Sequence, residues 1–259
     1  MNINLPLILV ILTAVTGIIW LTDKILLAKM RAKKNAAVSL LVDYGRSLFS
    51  VFLLVLVIRS FVAQAYVVPT GSLEPTIKPV EFILVNQFSY GIKLPVLNTK
   101  IVSVGEPKRG DIAVFRYPPK PNVDLIKRVI GIPGDHVVYY NKQLTINGQL
   151  ISQKFLYSRI DTGEAGKEPV NVYEEDLLGV KHKIYIRKTG GQNTNYDIIV
   201  PEGKYFMMGD NRDGSADSRL WGFAAEKDLV GKGIIILMSY KGKFPHIEKF
   251  RWDRIGTKL

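Results

Sequence analysis

The chain of 259 residues is 47% hydrophobic, 10% aromatic and 22% charged, a globular composition with length for one sizeable core and an addition. It has no cysteine, which excludes a disulfide framework, a thiolate zinc site, an iron–sulfur cluster and a cysteine nucleophile while leaving the compartment open. The 35 Lys and Arg against 23 Asp and Glu leave a net +12, which fits nucleic acid, an anionic membrane surface or topology signals, so the placement of charge must decide.

From Ile3 to Leu21 run 19 residues without a charge, which as a helix would reach about 28 Å, close to the hydrocarbon thickness of a bilayer. No Lys or Arg precedes the run and no small-x-small site follows it directly, so an uncleaved spanning helix over 1–22 is expected rather than a removable leader. A second apolar stretch begins near Leu41, is densest from Leu48 to Ile58, and continues past Arg59 to Val68. Its uncharged centre, Ser47 to Ile58, is only 12 residues and would also suit a buried helix of a soluble domain. With Arg46 and Arg59 reaching opposite interfaces it becomes a span, expected over 44–66 with its exit.

The loop between, 23–43, holds Lys24, Lys29, Arg31, Lys33 and Lys34, and with Arg46 set against Asp23 and Asp43 the segment carries +4. By the positive-inside rule this loop is cytoplasmic, so the N-terminus and everything after about residue 66 face the other side. The tail from Lys241 to Leu259 carries another +4, so loop and tail hold eight of the twelve net charges. The remainder forms no basic stripe, and nucleic-acid binding is not expected. Trp252 in the tail fits either a lipid headgroup region or a solvated segment.

After residue 66 the chain turns to short β-rich runs punctuated by Gly and Pro, and the class is all-β. Strands are expected at Glu81 to Phe88, Asp111 to Arg116, Leu125 to Ile130, His136 to Ile146, Gln149 to Phe155, Ile184 to Arg187, Lys204 to Met208 and Leu229 to Met238. Asn147-Gly148 marks a two-residue hairpin. The span from about 157 to 202 is more polar and Gly-rich and reads as an insertion with long loops.

Metal chemistry has little support, because His136, His182 and His246 are widely spaced and none has a second ligand at helical spacing. Asp161-Thr162-Gly163 matches an aspartic-protease tripeptide, but its polar flanks and the lack of a second copy make it a turn. More informative is Val67-Val68-Pro69-Thr70-Gly71-Ser72-Leu73-Glu74-Pro75-Thr76, where prolines and a glycine would hold Ser72 on a rigid exposed turn, although Pro-Thr-Gly-Ser also suits an ordinary loop. A serine nucleophile needs a base, and a lysine can serve once burial away from carboxylates makes it neutral. Lys127 fits best, since strand alternation puts Leu125, Lys127 and Val129 on one face and Arg128 on the other, although this stretch alone reads more readily as an edge-strand lysine facing solvent. Leu125, Val129 and Met207 are candidates for the apolar wall around it. A third stretch, Gly209 to Phe223, packs Asp, Asn, Arg and Ser between apolar flanks, as either a buried polar network or an exposed charged loop.

These three stretches, with Gly110 to Phe115 between the first two, closely resemble in order the boxes of bacterial type I signal peptidases, membrane-bound Ser-Lys endopeptidases. Two spans before the serine resemble the Gram-negative form. The resemblance implies an all-β extracytoplasmic catalytic domain with a β insertion, anchored by two N-terminal transmembrane helices, with core segments 67–136 and 203–259 around an insertion at 137–202. It also implies Ser72 as nucleophile and Lys127 as general base. The Thr70 hydroxyl and the Ser72 N–H would form the oxyanion hole, and Ser215 would orient the lysine. Asp217 with Arg219, and by position Asp210 with Arg212, would be structural ion pairs. Position 70 is Thr where the enterobacterial enzyme has Ser, and either offers a hydroxyl.

The implied substrates are secretory preproteins cut after Ala-x-Ala-like sites. The implied location is the bacterial inner membrane, as a multi-pass protein with a periplasmic catalytic side and phospholipid as neighbour. No cofactor, no metal and a monomer are expected. Ala63-Gln64-Ala65 resembles such a cleavage site itself but is expected to stay uncut, because it must continue as strand toward Ser72. A catalytically silent membrane-anchored β scaffold is the competing class. A penicillin-binding-type acyltransferase would need Ser-x-x-Lys, and no serine here has a lysine three residues on.

Overall fold

The computed structural model describes residues 5–27, 38–58, 63–93, 99–161, 167–190, 195–243 and 246–259. Lys29, Arg31, Lys33, Lys34 and Arg59, and Thr162-Gly163 of the aspartic-protease-like tripeptide, lie outside the described residues. The chain divides into two units, Met1–Gln64 with Ile92–Ser103, and Ala65–Gly91 with Val104–Leu259.

In the first unit α1 (Leu5–Thr22) runs on into a wider turn at Asp23–Leu27, and α2 covers Leu40–Val57. Leu7–Leu27 and Leu40–Val57 are each long and apolar enough to cross a membrane. The two helices approach closely because glycine sits at the contact. A Cβ on Gly17 would come 2.9 Å from the Phe49 ring, and one on Gly45 would come 2.8 Å from Ile19. Trp20 stacks on Phe49 with ring centroids 5.4 Å apart. The second helix begins and ends earlier than the 44–66 expected. Leu40 to Val42 already join it, and β1 (Ala63–Val68) claims the β-branched end of the apolar stretch. Ala63-Gln64-Ala65 are the first residues of that strand.

After β1 come β2 (Glu81–Asn86) and a short antiparallel pair, β3 (Ile92–Lys93) and β4 (Lys100–Val102). Then follow β5 (Ile112–Arg116), β6 (Asp124–Gly131), β7 (His136–Tyr140), β8 (Gln143–Ile146) and β9 (Gln149–Leu150). The polar region holds β10 (Ser152–Asp161), β11 (Glu168–Leu177) and β12 (Val180–Arg187). The chain closes with β13 (Tyr196–Ile199), β14 (Lys204–Met208), the one-turn α3 (Ser218–Trp221), β15 (Ala224–Ala225), β16 (Leu229–Lys243) and β17 (His246–Phe250). The largest sheet has the order β1-β2-β16-β5-β6-β14-β15, with β17 added on β16. A three-stranded sheet β10-β11-β12 and a four-stranded sheet β13-β7-β8-β9 accompany it.

Alternation sorts the core. On β5, Ile112 and Val114 join one apolar cluster with Leu73, Ile77, Ile83 and Ile126, while Ala113 and Phe115 join another with Val129 and Met207. Asn147-Gly148 makes the β8–β9 hairpin with φ of 50° and 78°, as its sequence predicts. The strand expected over His136 to Ile146 is instead two strands, because Asn141 and Lys142 take φ of 47° and 63° and turn the chain back. The run expected over Gln149 to Phe155 likewise breaks at Ile151. In place of long loops, much of the polar stretch forms β10 to β12, and on β11 Val170, Val172, Glu175 and Leu177 are buried.

Candidate active site

Ser72 lies in the turn that leaves β1, and its two apolar neighbours hold that turn in place. Leu73 and Ile77 are fully buried beside Val68 and Ile83, and the Ile77 N–H donates to the Leu73 carbonyl at 3.0 Å. Lys127 comes from β6, where Leu125 and Val129 lie against Phe115, Met207 and Trp221, so the lysine is carried on an apolar face. It is 4% exposed, and its Nζ stands 2.5 Å from Ser72 Oγ, bringing together two residues 55 positions apart in the chain. Burial pulls the Lys127 ammonium from 10.5 down to about 8, with Asp217 and Asp210 opposing the shift and Arg219 assisting it.

Thr70 Oγ1 donates toward Ser72 Oγ at 3.4 Å. Among the described residues the Ser72 N–H donates to no other group. The third stretch closes over this turn. The Asn211 N–H donates to the Ser72 carbonyl at 3.1 Å and its side-chain amide to the Gly71 carbonyl at 3.2 Å. A Cβ on Gly209 would run into the Ser72 carbonyl and the Ser215 hydroxyl, so glycine permits the approach. Ser215 is buried against Gly209, and its hydroxyl has no hydrogen-bond partner among the described residues, so the bond to the lysine expected of it is not made.

The two expected ion pairs fare differently. Asp217 and Arg219 form a buried pair, with Nε–Oδ1 at 2.8 Å and Nη2–Oδ2 at 2.7 Å, and Asp217 also accepts the Gly209 N–H at 3.0 Å. Asp210 and Arg212 are both buried but do not pair with each other, because each meets a better-shaped partner from another element. Asp210 takes the fork of Arg128, at 2.8 and 2.7 Å, and the Thr76 hydroxyl at 2.5 Å. Arg212 binds Glu175 of β11 through both terminal nitrogens. Burial alone would raise the Asp210 and Glu175 carboxyls, yet Arg128 and Arg212 hold them below the usual range. His182 lies between the two pairs, 3.3 Å from Glu175 and 3.8 Å from Asp210.

Sequence reasoning missed Glu175, His182, Asn211 and Thr76 at this site. Arg128 could be assigned to the face opposite Lys127 by alternation, but its partner could not. Glu74, two residues after the serine, is a further surprise. Burial pushes its carboxyl up to about 7, Asp161 adds to the shift, and its Oε2 has no hydrogen-bond partner among the described residues. His136 is exposed and bonded to Asp197 at 2.6 Å, apart from this centre. Among the described residues no group of three His, Cys, Asp or Glu could hold a metal ion.

The family described as "Signal peptidase, peptidase S26" matches residues 41–238. The chain belongs to this family. It is therefore a peptidase. A signal peptidase I of Pseudomonas fluorescens is 41% identical over 99% of each chain, and one of Pseudomonas aeruginosa is likewise 41% identical over 99% of both. A third, from Aquifex aeolicus, is 35% identical over 77% of this chain and 84% of its own. A crystallised signal peptidase I of Enterococcus faecalis is 29% identical over 50% of this chain and 98% of its own, with a TM-score of 0.33.

Proposed function

We propose that this peptidase removes signal peptides from exported preproteins, with Ser72 as nucleophile and Lys127 as general base. The observation that carries the assignment is the 2.5 Å contact between Ser72 Oγ and a lysine buried on an apolar face. In the attack, neutral Lys127 takes the Ser72 proton as Oγ adds to the scissile carbonyl. The Ser72 N–H and the Thr70 hydroxyl receive the negative charge that develops on the carbonyl oxygen. The lysine then protonates the leaving amine, and as a base once more it activates the water that hydrolyses the acyl-enzyme. In the acyl-enzyme Ser72 Oγ belongs to an ester and accepts weakly, so Lys127 needs another partner. The unpaired Ser215 hydroxyl is suited to that orienting role.

Residues 124–127 of β6 pair with β5 on one side, while β14 pairs with β6 only at Arg128, Val129 and Gly131. An extended cleavage segment can add along that free edge toward Lys127, with alternate side chains turned into small pockets, which suits Ala-x-Ala-like sites. Residues 67–136 and 203–259 would then form the catalytic core around an insertion at 137–202. The basic segment between the helices would place them as inner-membrane anchors with the catalytic side periplasmic and the enzyme acting as a monomer. The test is processing of a preprotein by membranes carrying wild type or Ser72→Ala. Loss of cleavage with normal insertion is expected, and cleavage by Ser72→Ala would refute the nucleophile.

A further inference from the structure

On the face of β6 opposite Lys127, a cleft of about 660 Å³ opens between the β5–β6 strands, the β10–β12 sheet and the chain's last turn. Among the described residues nine Lys and Arg line it against one acidic side chain, Asp111. Four of the nine have carboxylates of their own: Arg109 with Asp135, Arg128 with Asp210, Lys232 with Asp111 and Arg254 with Glu81. The other five, Lys78, Arg159, Lys181, Lys183 and Lys258, form no ion pair among the described residues. Asp176 and Glu174 stand opposite Lys181 and Lys183 across the β11–β12 ladder, yet neither closes an ion pair with them. Half-buried Lys78 is held below the usual lysine range mainly by burial, with the neighbouring Arg254 and Arg251 adding to the shift and Glu81 and Asp253 opposing it.

We propose that this cleft binds a phosphate group, carried by an anionic phospholipid headgroup or by a free phosphate ester. A concave site lined by unbalanced Lys and Arg from two strands, a turn and a tail is matched by a compact anion with several acceptor oxygens, and guanidinium and ammonium donors both suit phosphate. Its volume exceeds that of one phosphate and leaves room for a glycerol ester. The lipid source is favoured by the surroundings. Trp252, 73% exposed, and Ile255, 41% exposed, flank Arg254 in the same turn, so apolar side chains suited to an interface adjoin the basic cleft.

The experiment uses the full chain in a neutral-detergent micelle, titrated with dihexanoyl phosphatidylglycerol, dihexanoyl phosphatidylcholine, glycerol 3-phosphate and an Asp-rich peptide. The variant is the double substitution Lys181→Gln, Lys183→Gln, whose positions are exposed and lie outside the proposed dyad, so melting temperature and basal cleavage should match wild type. The expected result is saturable binding of a phosphate ligand that the double variant weakens about tenfold or more and that fades as salt rises. Tighter binding of phosphatidylglycerol than of glycerol 3-phosphate supports the headgroup as source, and equal binding supports the free ester. Equal affinity of wild type and variant, equal binding of phosphatidylcholine and phosphatidylglycerol, or binding of the Asp-rich peptide alone would overturn the proposal.

Discussion

At the scale of single residues, Lys127 carries a conflict between folding and chemistry. Its ammonium is lowered from 10.5 to about 8 by burial, a differential of about 3 kcal/mol against the charged form. At pH 7 roughly a tenth of the molecules then hold a neutral amine, against a few in ten thousand for an ordinary lysine. Between about pH 8 and 10.5 the unfolded chain binds more protons at this position than the folded chain. Stability therefore rises with pH across that window, and below it the full destabilisation is present. Lys127→Met should accordingly melt higher than wild type at pH 7, by about 2 kcal/mol or roughly 4–8 °C, and lose that advantage toward pH 10.5. Thermal melts at the two pH values check this, and an unchanged or lower melting point at pH 7 would contradict it. The apolar company of this lysine was readable from alternation, because Leu125 and Val129 stand two residues on either side. The orphaned hydroxyl of Ser215 and the raised carboxyl of Glu74 were not, since both depend on what packs over them.

At the scale of elements, the third stretch is a clamp. Asn211 holds the backbone of the serine turn, Asp217 holds Gly209, and Arg212 reaches Glu175 on β11. Nothing local distinguishes Glu175 from its neighbours Glu174 and Asp176, and an acidic run usually marks a solvated face. Its partner lies 37 residues away, beyond the reach of any period-two pattern. The same limit produced the mistaken Asp210–Arg212 pair: spacing identified charged residues that must be buried, while partner choice was settled by distant Arg128 and Glu175. β11 and the second half of β10 fall where a polar, Gly-rich composition reads as loop, although the inward Val170 and Val172 stand two residues apart as on a strand. Glu175→Gln should leave Arg212 without its counter-charge and destabilise the chain by about 3–5 kcal/mol, measurable by denaturant unfolding. A loss below about 1 kcal/mol would show that the pair contributes little.

At the scale of the whole molecule, the +12 charge separates into parts with different work. The basic segment between the helices is proposed to fix orientation. The tail, which composition left open, is folded in: Arg254 pairs with buried Glu81, and Lys258 bridges to Ile235 of β16. Much of the surplus on the second unit gathers around a single cleft. Because the chain has no cysteine, orientation is open to a clean test. In intact cells a membrane-impermeant maleimide should label Lys154→Cys and spare Lys33→Cys, and labelling of Lys33→Cys alone would reverse the topology.

The central claim is that a neutral lysine acts as base for Ser72, and the pH dependence of kcat/KM on a preprotein tests it most directly. Wild type should gain activity as pH rises through about 8, the range to which burial brings Lys127, while Lys127→Arg, whose guanidinium keeps its proton, should be inactive at every pH. A rising limb centred near 6.5, or turnover by the Lys127→Arg variant, would contradict the account.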